Sequence, residues 1–388
     1  MTIYLDNAAS SCPKPPAVPE AVNDCLKNYC ANPGRGAHRL AVAAARVIFQ
    51  TREKAASLLG VNDSANIVFT QNATDSLNMA LHGLLKPGDH VVTSVVEHNA
   101  VIRPLKALAR RGVEVSFAGA DSRGRIDPEE VLALAGPGTR LVALAHTSNV
   151  SGAIAPLKAI SPALRERGVP LLVDAAQSGG SLALDVESVP ADMIAITGHK
   201  GLMGPQGVGL LYISPEIELM SVRQGGTGTR SEDEQEILAR PDRYESGTLN
   251  TPGIAGLGAG IDFLRQEGLG KIAAHKDEMV SRLLTGLSRL ENVSAYGPAA
   301  GESRAPLVCF NVGGLTAAEV AARLDREFDI ASRAGLHCAP GAHRVMGTLA
   351  GGAVRLSIGP FNSQADIDTA VEAVAAISAG DRANGARD

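Results

Sequence analysis

Residues 170–213 read PLLVDAAQSGGSLALDVESVPADMIAITGHKGLMGPQGVGLLYI. Three short apolar runs stand out: 170–174, 193–197 and 209–213. Leu, Ile and Val dominate them, as they do in strands buried on both faces. The first two stop abruptly at polar residues, Asp174-Ala175-Ala176-Gln177 and Gly198-His199-Lys200-Gly201. Working outward, the same texture recurs at 66–70, 90–94, 113–117 and 141–146. Helical patterns such as 75–84 and 100–110 lie between these runs. Strand–helix alternation predicts an α/β layer fold with a mostly parallel seven-stranded sheet.

Past residue 253 the texture changes. The run 253–260, GIAGLGAG, is glycine-rich. Ile272, Met279, Leu283, Leu287 and Leu290 then share one helical face. Thr316 and Glu319 make a capping-box pattern ahead of Val320, Leu324 and Phe328. Ser363 and Asp366 stand likewise before Ile367, Val371, Val374 and Ile377, with strand candidates at 307–312 and 353–358. This half reads as a smaller α+β domain.

Composition removes several classes of function. The 388 residues hold 36 Lys plus Arg against 41 Asp plus Glu, a net charge of −5, so general basicity does not hold a nucleic acid. Aromatic residues are 3% and Trp is absent, which argues against a base-stacking platform. Cys12, Cys25, Cys30, Cys309 and Cys338 are sparse, odd in number and contain no CxxC pair. They suit neither a disulfide framework nor a zinc ribbon. The first residues lack a signal-peptide pattern and no apolar run approaches a membrane span. A soluble, cytoplasmic protein with no membrane partner is expected.

Ligands of open α/β sheets bind beyond the carboxyl ends of the strands. There the chain places Ala73-Thr74-Asp75, Glu97-His98-Asn99, His146-Thr147-Ser148-Asn149, Asp174-Ala175-Ala176-Gln177 and Thr197-Gly198-His199-Lys200. Ala73 and Thr74 at a strand–helix junction suit a phosphate, or equally an ordinary N-cap. Asp174, half-buried after four apolar residues, needs a cation: a ring nitrogen or a Lys or Arg salt bridge. Lys200 in a pocket would have a lowered pKa and serve as a Schiff-base nucleophile; elsewhere it is a surface lysine. His98 could stack on a flat ring, act in proton transfer or be structural. In the segment 333–340, RAGLHCAP, Arg333 and His337 beside Cys338 favour a thiolate on an exposed loop, against a buried inert cysteine. A metal held by His337, Cys338 and His343 would have too few ligands. Arg355 offers a planar fork for a carboxylate, or faces outward.

Together these residues carry a resemblance. The chain resembles the class V aminotransferase-fold, pyridoxal-phosphate-dependent enzymes, nearest the cysteine desulfurase and selenocysteine lyase group. The likeness runs from the 4–10 segment, YLDNAAS, to 359–362, GPFN. RAGLHCAP resembles the type whose cysteine sits in a compact loop, although the stretch after Cys338 matches a less characterised branch.

The resemblance implies type I fold architecture, with a large cofactor-binding domain at 16–255 and a small domain from 1–15 and 256–388. It implies that Lys200 holds pyridoxal 5'-phosphate covalently. Asp174 would pair with the ring nitrogen, Gln177 would bond the phenolate oxygen and His98 would stack on the ring. Ala73, Thr74, Thr197 and His199 would bind the phosphate, completed by Gly226 and Thr227 from the loop of a second subunit in a homodimer. Asn149 and Arg355 would grip the substrate carboxylate, with Arg333 and Arg35 at the edge of the site. Lys200 would remove the Cα proton of L-cysteine, and Cys338 would take its sulfur as a persulfide, leaving L-alanine. Arg333 and His337 would tune the thiolate or move protons. An acceptor thiol or protein would then receive the sulfur. Selenocysteine lyase, a cysteine or cystine C–S lyase, another class V aminotransferase or epimerase, and a non-catalytic sulfur-transfer scaffold are the competing readings. A nicotinamide dehydrogenase lacks its GxGxxG after the first strand.

Overall fold

The computed structural model describes residues 2–34, 36–227 and 239–385, with side chains to residue 380. A two-residue strand, β1 (Ile3–Tyr4), precedes the main sheet. That sheet comprises β2 (Ile67–Thr70), β3 (His90–Ser94), β4 (Glu114–Ala118), β5 (Thr139–Ala145), β6 (Leu171–Asp174), β7 (Met193–Thr197) and β8 (Gly209–Ile213). Its order is β2-β8-β7-β6-β5-β3-β4. β8 runs antiparallel to both neighbours, and the other pairings are parallel. The mostly parallel seven-stranded expectation is borne out, with strand ends within two residues of those read from the sequence.

Helices cover both faces of this sheet, which is why β6, β7 and β8 are buried at every position. Val142, Leu144, Val173, Ile194 and Ile196 join one apolar cluster. Their alternate neighbours Leu141, Ala143, Leu172, Met193 and Ala195 join another on the opposite face. That sorting is the period of two expressed in packing.

The glycine run 253–260 lies inside helix Thr251–Glu267. This helix packs on helices Ala17–Asn28 and Arg39–Leu58. A Cβ on Gly256 would stand 2.8 Å from Val22 Cγ2, and one on Gly260 would run into the Leu202 carbonyl. Glycine here trades helix propensity for close approach.

The second lobe holds β9 (Val293–Tyr296), β10 (Leu307–Val312), β11 (Ile330–Ala331), β12 (Arg333–Gly335) and β13 (Ala353–Ser357). Four of them form an antiparallel sheet in the order β12-β13-β10-β9. Helices Leu269–Ser288, Ala317–Phe328 and Gln364–Gly385 complete this lobe. The capping box at Thr316 and Glu319 forms as read. Ser363 and Asp366 exchange the same pair of bonds. β1 pairs in parallel with β11, tying the N-terminus to this lobe. No helix among the described residues is long and apolar enough to cross a membrane.

Candidate active site

Five strands of the main sheet lead into one cavity of about 250 Å³. The turn after β2 supplies Ala73 and Thr74, and the turn after β3 supplies His98. β5 leads to Thr147 and Asn149, β6 ends in Asp174 and leads to Gln177, and β7 ends in Thr197 and leads to His199 and Lys200. The rim residues singled out by sequence therefore meet in one place.

Ala73 and Thr74 begin helix Ala73–Leu84, whose N-cap Asn72 uses its side chain on the Asp75 N–H. The N–H groups of Ala73 and Thr74 make no hydrogen bond among the described residues. Close by in the same cavity, Thr147 Oγ1, Thr197 Oγ1 and His199 Nδ1 are buried without partners among the described residues. Each orphaned polar atom costs about 1–3 kcal/mol. A helix N-terminus ringed by unpaired donors fits a phosphate.

Asp174 is 5% exposed and its carboxylate accepts one bond among the described residues, from the Ala176 N–H at 2.9 Å. Burial pushes its carboxyl up, while that N–H and the Lys200 charge pull it down. Such a carboxylate fits a cationic ring nitrogen. Burial lowers Lys200 to about 8; Asp174 acts against this, Arg355 and Arg333 act with it, and Cys338 acts against it. An amine so poised suits a carbonyl carbon. Burial, then the Lys200, Arg355 and Arg103 charges, hold His98 to about 4. Its Nδ1 accepts the Ala100 N–H at 3.0 Å, capping helix Asn99–Ala109. The donor set fits pyridoxal phosphate: a phosphate cradle, an acid for the ring nitrogen and an amine for the aldehyde.

Gln177 lines the cavity but donates through Nε2 to the Ala8 carbonyl at 3.0 Å. Asn149 donates through Nδ2 to the His337 carbonyl at 2.7 Å. Arg355 is 2% exposed; it donates to the Asn149 carbonyl and to Asp6 Oδ1, both at 3.0 Å. Arg333 lies 3.8 Å from Asp6 Oδ2 with its side chain half exposed. Gly226 and Thr227 line a different hollow with Asn32, Pro33 and Phe49. From their own chain they do not line the Lys200 cavity. Arg35 lies outside the described residues.

Cys338 is exposed on the four-residue connection from β12 to helix Pro340–Val345. His337 and Cys338 both sit in the left-handed region, with φ of 49° and 57°. That conformation costs about 1–2 kcal/mol per residue without glycine. Asn149 holds one carbonyl of the turn and the Asn99 N–H holds the other, at 2.7 Å from the Cys338 oxygen.

The structure gives roles to three contributors to which sequence reading assigned none. Asp6 supplies a carboxylate to both arginines; it stood in the quoted YLDNAAS run. Glu97 is buried, accepting from Ser94 Oγ at 2.6 Å and the Ala145 N–H at 2.8 Å. Burial pushes it up to about 8, with the Asp174 charge adding to the rise. The third is the pair His343 and Thr348, which reaches His337 from behind.

A family model described as aminotransferase class V matches residues 3–370. A probable cysteine desulfurase of Methanothermobacter thermautotrophicus is 37% identical over 372 residues, covering 94% of this chain and 92% of its own length. A cysteine desulfurase of Haloferax volcanii is 32% identical over 382 residues, covering 96% and 88%. The solved apo structure of a cysteine desulfurase from Thermococcus onnurineus superposes with a TM-score of 0.92 at 36% identity, covering 98% of this chain and 95% of that one. The expected type I architecture of pyridoxal-phosphate enzymes is thereby borne out. The match extends over both lobes and includes the strand ends and the cysteine turn, so this chain belongs to the class V aminotransferase family.

Proposed function

We propose that this chain is a pyridoxal-phosphate-dependent cysteine desulfurase, moving sulfur from L-cysteine to Cys338 and releasing L-alanine. One observation carries the reading: an exposed thiol stands on a compact turn whose carbonyls are held by Asn149, which lines the Lys200 cavity, and by the Asn99 N–H next to His98. Relatives that bear this name along nearly the whole chain support it.

Bound pyridoxal phosphate supplies a sink for the electron pair left when a Cα proton departs. Ala73, Thr74, Thr197 and His199 would hold its phosphate, Asp174 its ring nitrogen and Lys200 its carbonyl carbon. Lys200, lowered to about 8, offers Nζ to take the Cα proton near neutral pH. Arg355 binds and orients the substrate carboxylate with Asn149. His98, its Nδ1 engaged as an acceptor, keeps its proton on Nε2 beside the ring. The Cys338 thiolate attacks the substrate sulfur. The S–S bond forms as the Cβ–S bond breaks, and the carbon takes the electron pair and a proton. L-cysteine and the Cys338 thiol thus become L-alanine and a Cys338 persulfide, the sulfur oxidised and Cβ reduced.

A thiol or an acceptor protein then removes the persulfide sulfur. The separate hollow of Gly226 and Thr227, next to Phe49 at 59% exposure, supports a homodimer in which this loop completes the partner's phosphate site. Five free cysteines support a reducing, cytoplasmic setting.

The test is the absorbance spectrum of purified protein before and after L-cysteine, with alanine and sulfide assayed for wild type and Cys338→Ala. A yellow protein whose band shifts, making alanine only with Cys338 present, is expected. Alanine formation that survives Cys338→Ala would sink the reading.

A further inference from the structure

Behind the Cys338 turn runs a file of polar groups that the proposed reaction leaves idle. Thr348 Oγ1 lies 2.8 Å from His343 Nδ1. His343 Nε2 lies 3.2 Å from His337 Nδ1, and His337 Nε2 lies 3.3 Å from the Arg333 carbonyl oxygen. The two rings are nearly parallel, 18° apart, and all three side chains are buried.

One atom fixes every proton in this file. The Arg333 oxygen can only accept, so His337 Nε2 carries a hydrogen. In a neutral ring Nδ1 then offers a lone pair, so His343 Nε2 carries the next hydrogen. His343 Nδ1 is left as an acceptor, and the Thr348 hydroxyl donates to it at 2.8 Å in preference to the His343 carbonyl oxygen at 3.4 Å. The rings are neutral for a physical reason. Burial first, then the Arg355 charge, with His343 and the Arg333 charge adding to it, hold His337 down to about 3 against the upward pull of its bond to the Arg333 carbonyl. Burial holds His343 to about 4. Asp6 faces the two guanidiniums and so leaves the rings without an acidic partner among the described contacts.

We propose that Thr348, His343 and His337 form a hydrogen-bonded brace that ties β12 to the following turn and holds His337 and Cys338 in left-handed backbone. His337 and His343 are then positioning residues for the thiol. His337 has neither a lone pair nor a hydrogen left to exchange with it. The brace grips one side of the turn through a ring, while Asn149 and the Asn99 N–H grip its carbonyls on the other side. Its effect on turnover rests on the desulfurase reading; its proton positions do not.

Two measurements test it. The first is ¹⁵N NMR of the holoenzyme labelled at histidine, from pH 5.5 to 9, with signals assigned through His337 and His343 variants. Both rings should show a protonated Nε2 and a bare Nδ1, unmoved across the range. Titration of either ring within it, or an Nδ1–H form, overturns the brace. The second compares His343→Ala, Thr348→Val and Thr348→Ser with wild type. His343→Ala should lower kcat for alanine and sulfide on the order of tenfold or more. KM and the shape of the pH profile should hold. Exchange of the L-alanine Cα proton into D₂O, which does not use the thiol, should stay near wild type. Thr348→Val should fall in the same direction and Thr348→Ser should recover. A changed acidic limb in the His343→Ala profile, or full sulfide release by both His343→Ala and Thr348→Val, also overturns the brace. A wild-type holoenzyme that makes no alanine from cysteine undoes the desulfurase reading instead, and the ring protons still decide the brace.

Discussion

Around Lys200 the cavity is walled by the ends of β5, β6 and β7, strands whose side chains are almost wholly buried. Cys338 stands on a turn with two left-handed residues, gripped by side chains from elsewhere in the chain. The first region is held by a sheet, which positions any residue placed at its edge. The second is held by a few hydrogen bonds against local backbone preference. One is a rigid receptacle and the other a supported strain, and damage to each should look different.

The largest break is expected at Lys200. Lys200→Ala removes both the covalent anchor and the group that takes the Cα proton. Alanine formation should fall by about 10⁴-fold or beyond detection, given what a lost base and nucleophile cost. The fold should hold, since the sheet does not need this side chain. A Lys200→Ala protein that keeps a tenth of its turnover would remove the receptacle from the chemistry.

Asp174→Asn should cost about 10²–10³-fold in turnover, the range for losing a preorganised electrostatic partner. The same change relieves a buried carboxyl that burial already pushes up. Stability of the cofactor-free chain should therefore rise or hold while activity falls. Opposite signs for the two readouts would mark Asp174 as a site residue built at a structural cost; parallel losses would make it an ordinary structural acid.

The contrast between the regions also explains what the sequence disclosed. A polar residue at the end of an apolar strand is conspicuous, and strand direction sends Asp174, His199 and Lys200 to one rim before any contact is known. Support for the cysteine turn comes from residues with no local mark. Asn149 reads as a rim residue, yet its amide holds the His337 carbonyl 188 positions away. His343 reads with His337 and Cys338 only as an incomplete metal set, and its bond to the His337 ring depends on how the turn closes. The glycine run misled in the other direction. Its low helix propensity hid helix Thr251–Glu267, where tertiary contact overrides preference.

Asn149 belongs to both regions and so tests whether they are coupled. Asn149→Ala releases the His337 carbonyl and opens the cavity wall at once. A loss of about 10–100-fold in kcat/KM is expected, the cost of a small misplacement of a reacting group. Iodoacetamide should alkylate Cys338 at a changed rate, since the turn loses one of its holds. An unchanged alkylation rate with a raised KM would confine Asn149 to the substrate side and uncouple the regions.

The smallest effect lies at the seam between the lobes. Lys276, 4% exposed, bonds Ser181 Oγ at 3.0 Å and lines a hollow of about 40 Å³ shared with Lys200 and Ser357. Burial lowers it from 10.5 to about 8, with Asp277 opposing. Folded, the amine loses its proton near pH 8; unfolded, near 10.5. Below pH 8 the folded protein therefore carries the full cost of a buried charge. That cost fades as pH rises and is gone above 10.5. Lys276→Met fills similar space without the charge and should stabilise the protein on the order of 1–2 kcal/mol at pH 7, less than the full shift because the Ser181 bond is lost. Urea midpoints at pH 7 and pH 10.5 read this directly: the variant should lead at the lower pH, and its lead should vanish or reverse at the higher. A lead that persists at pH 10.5 would come from packing, and the seam would then carry no electrostatic cost.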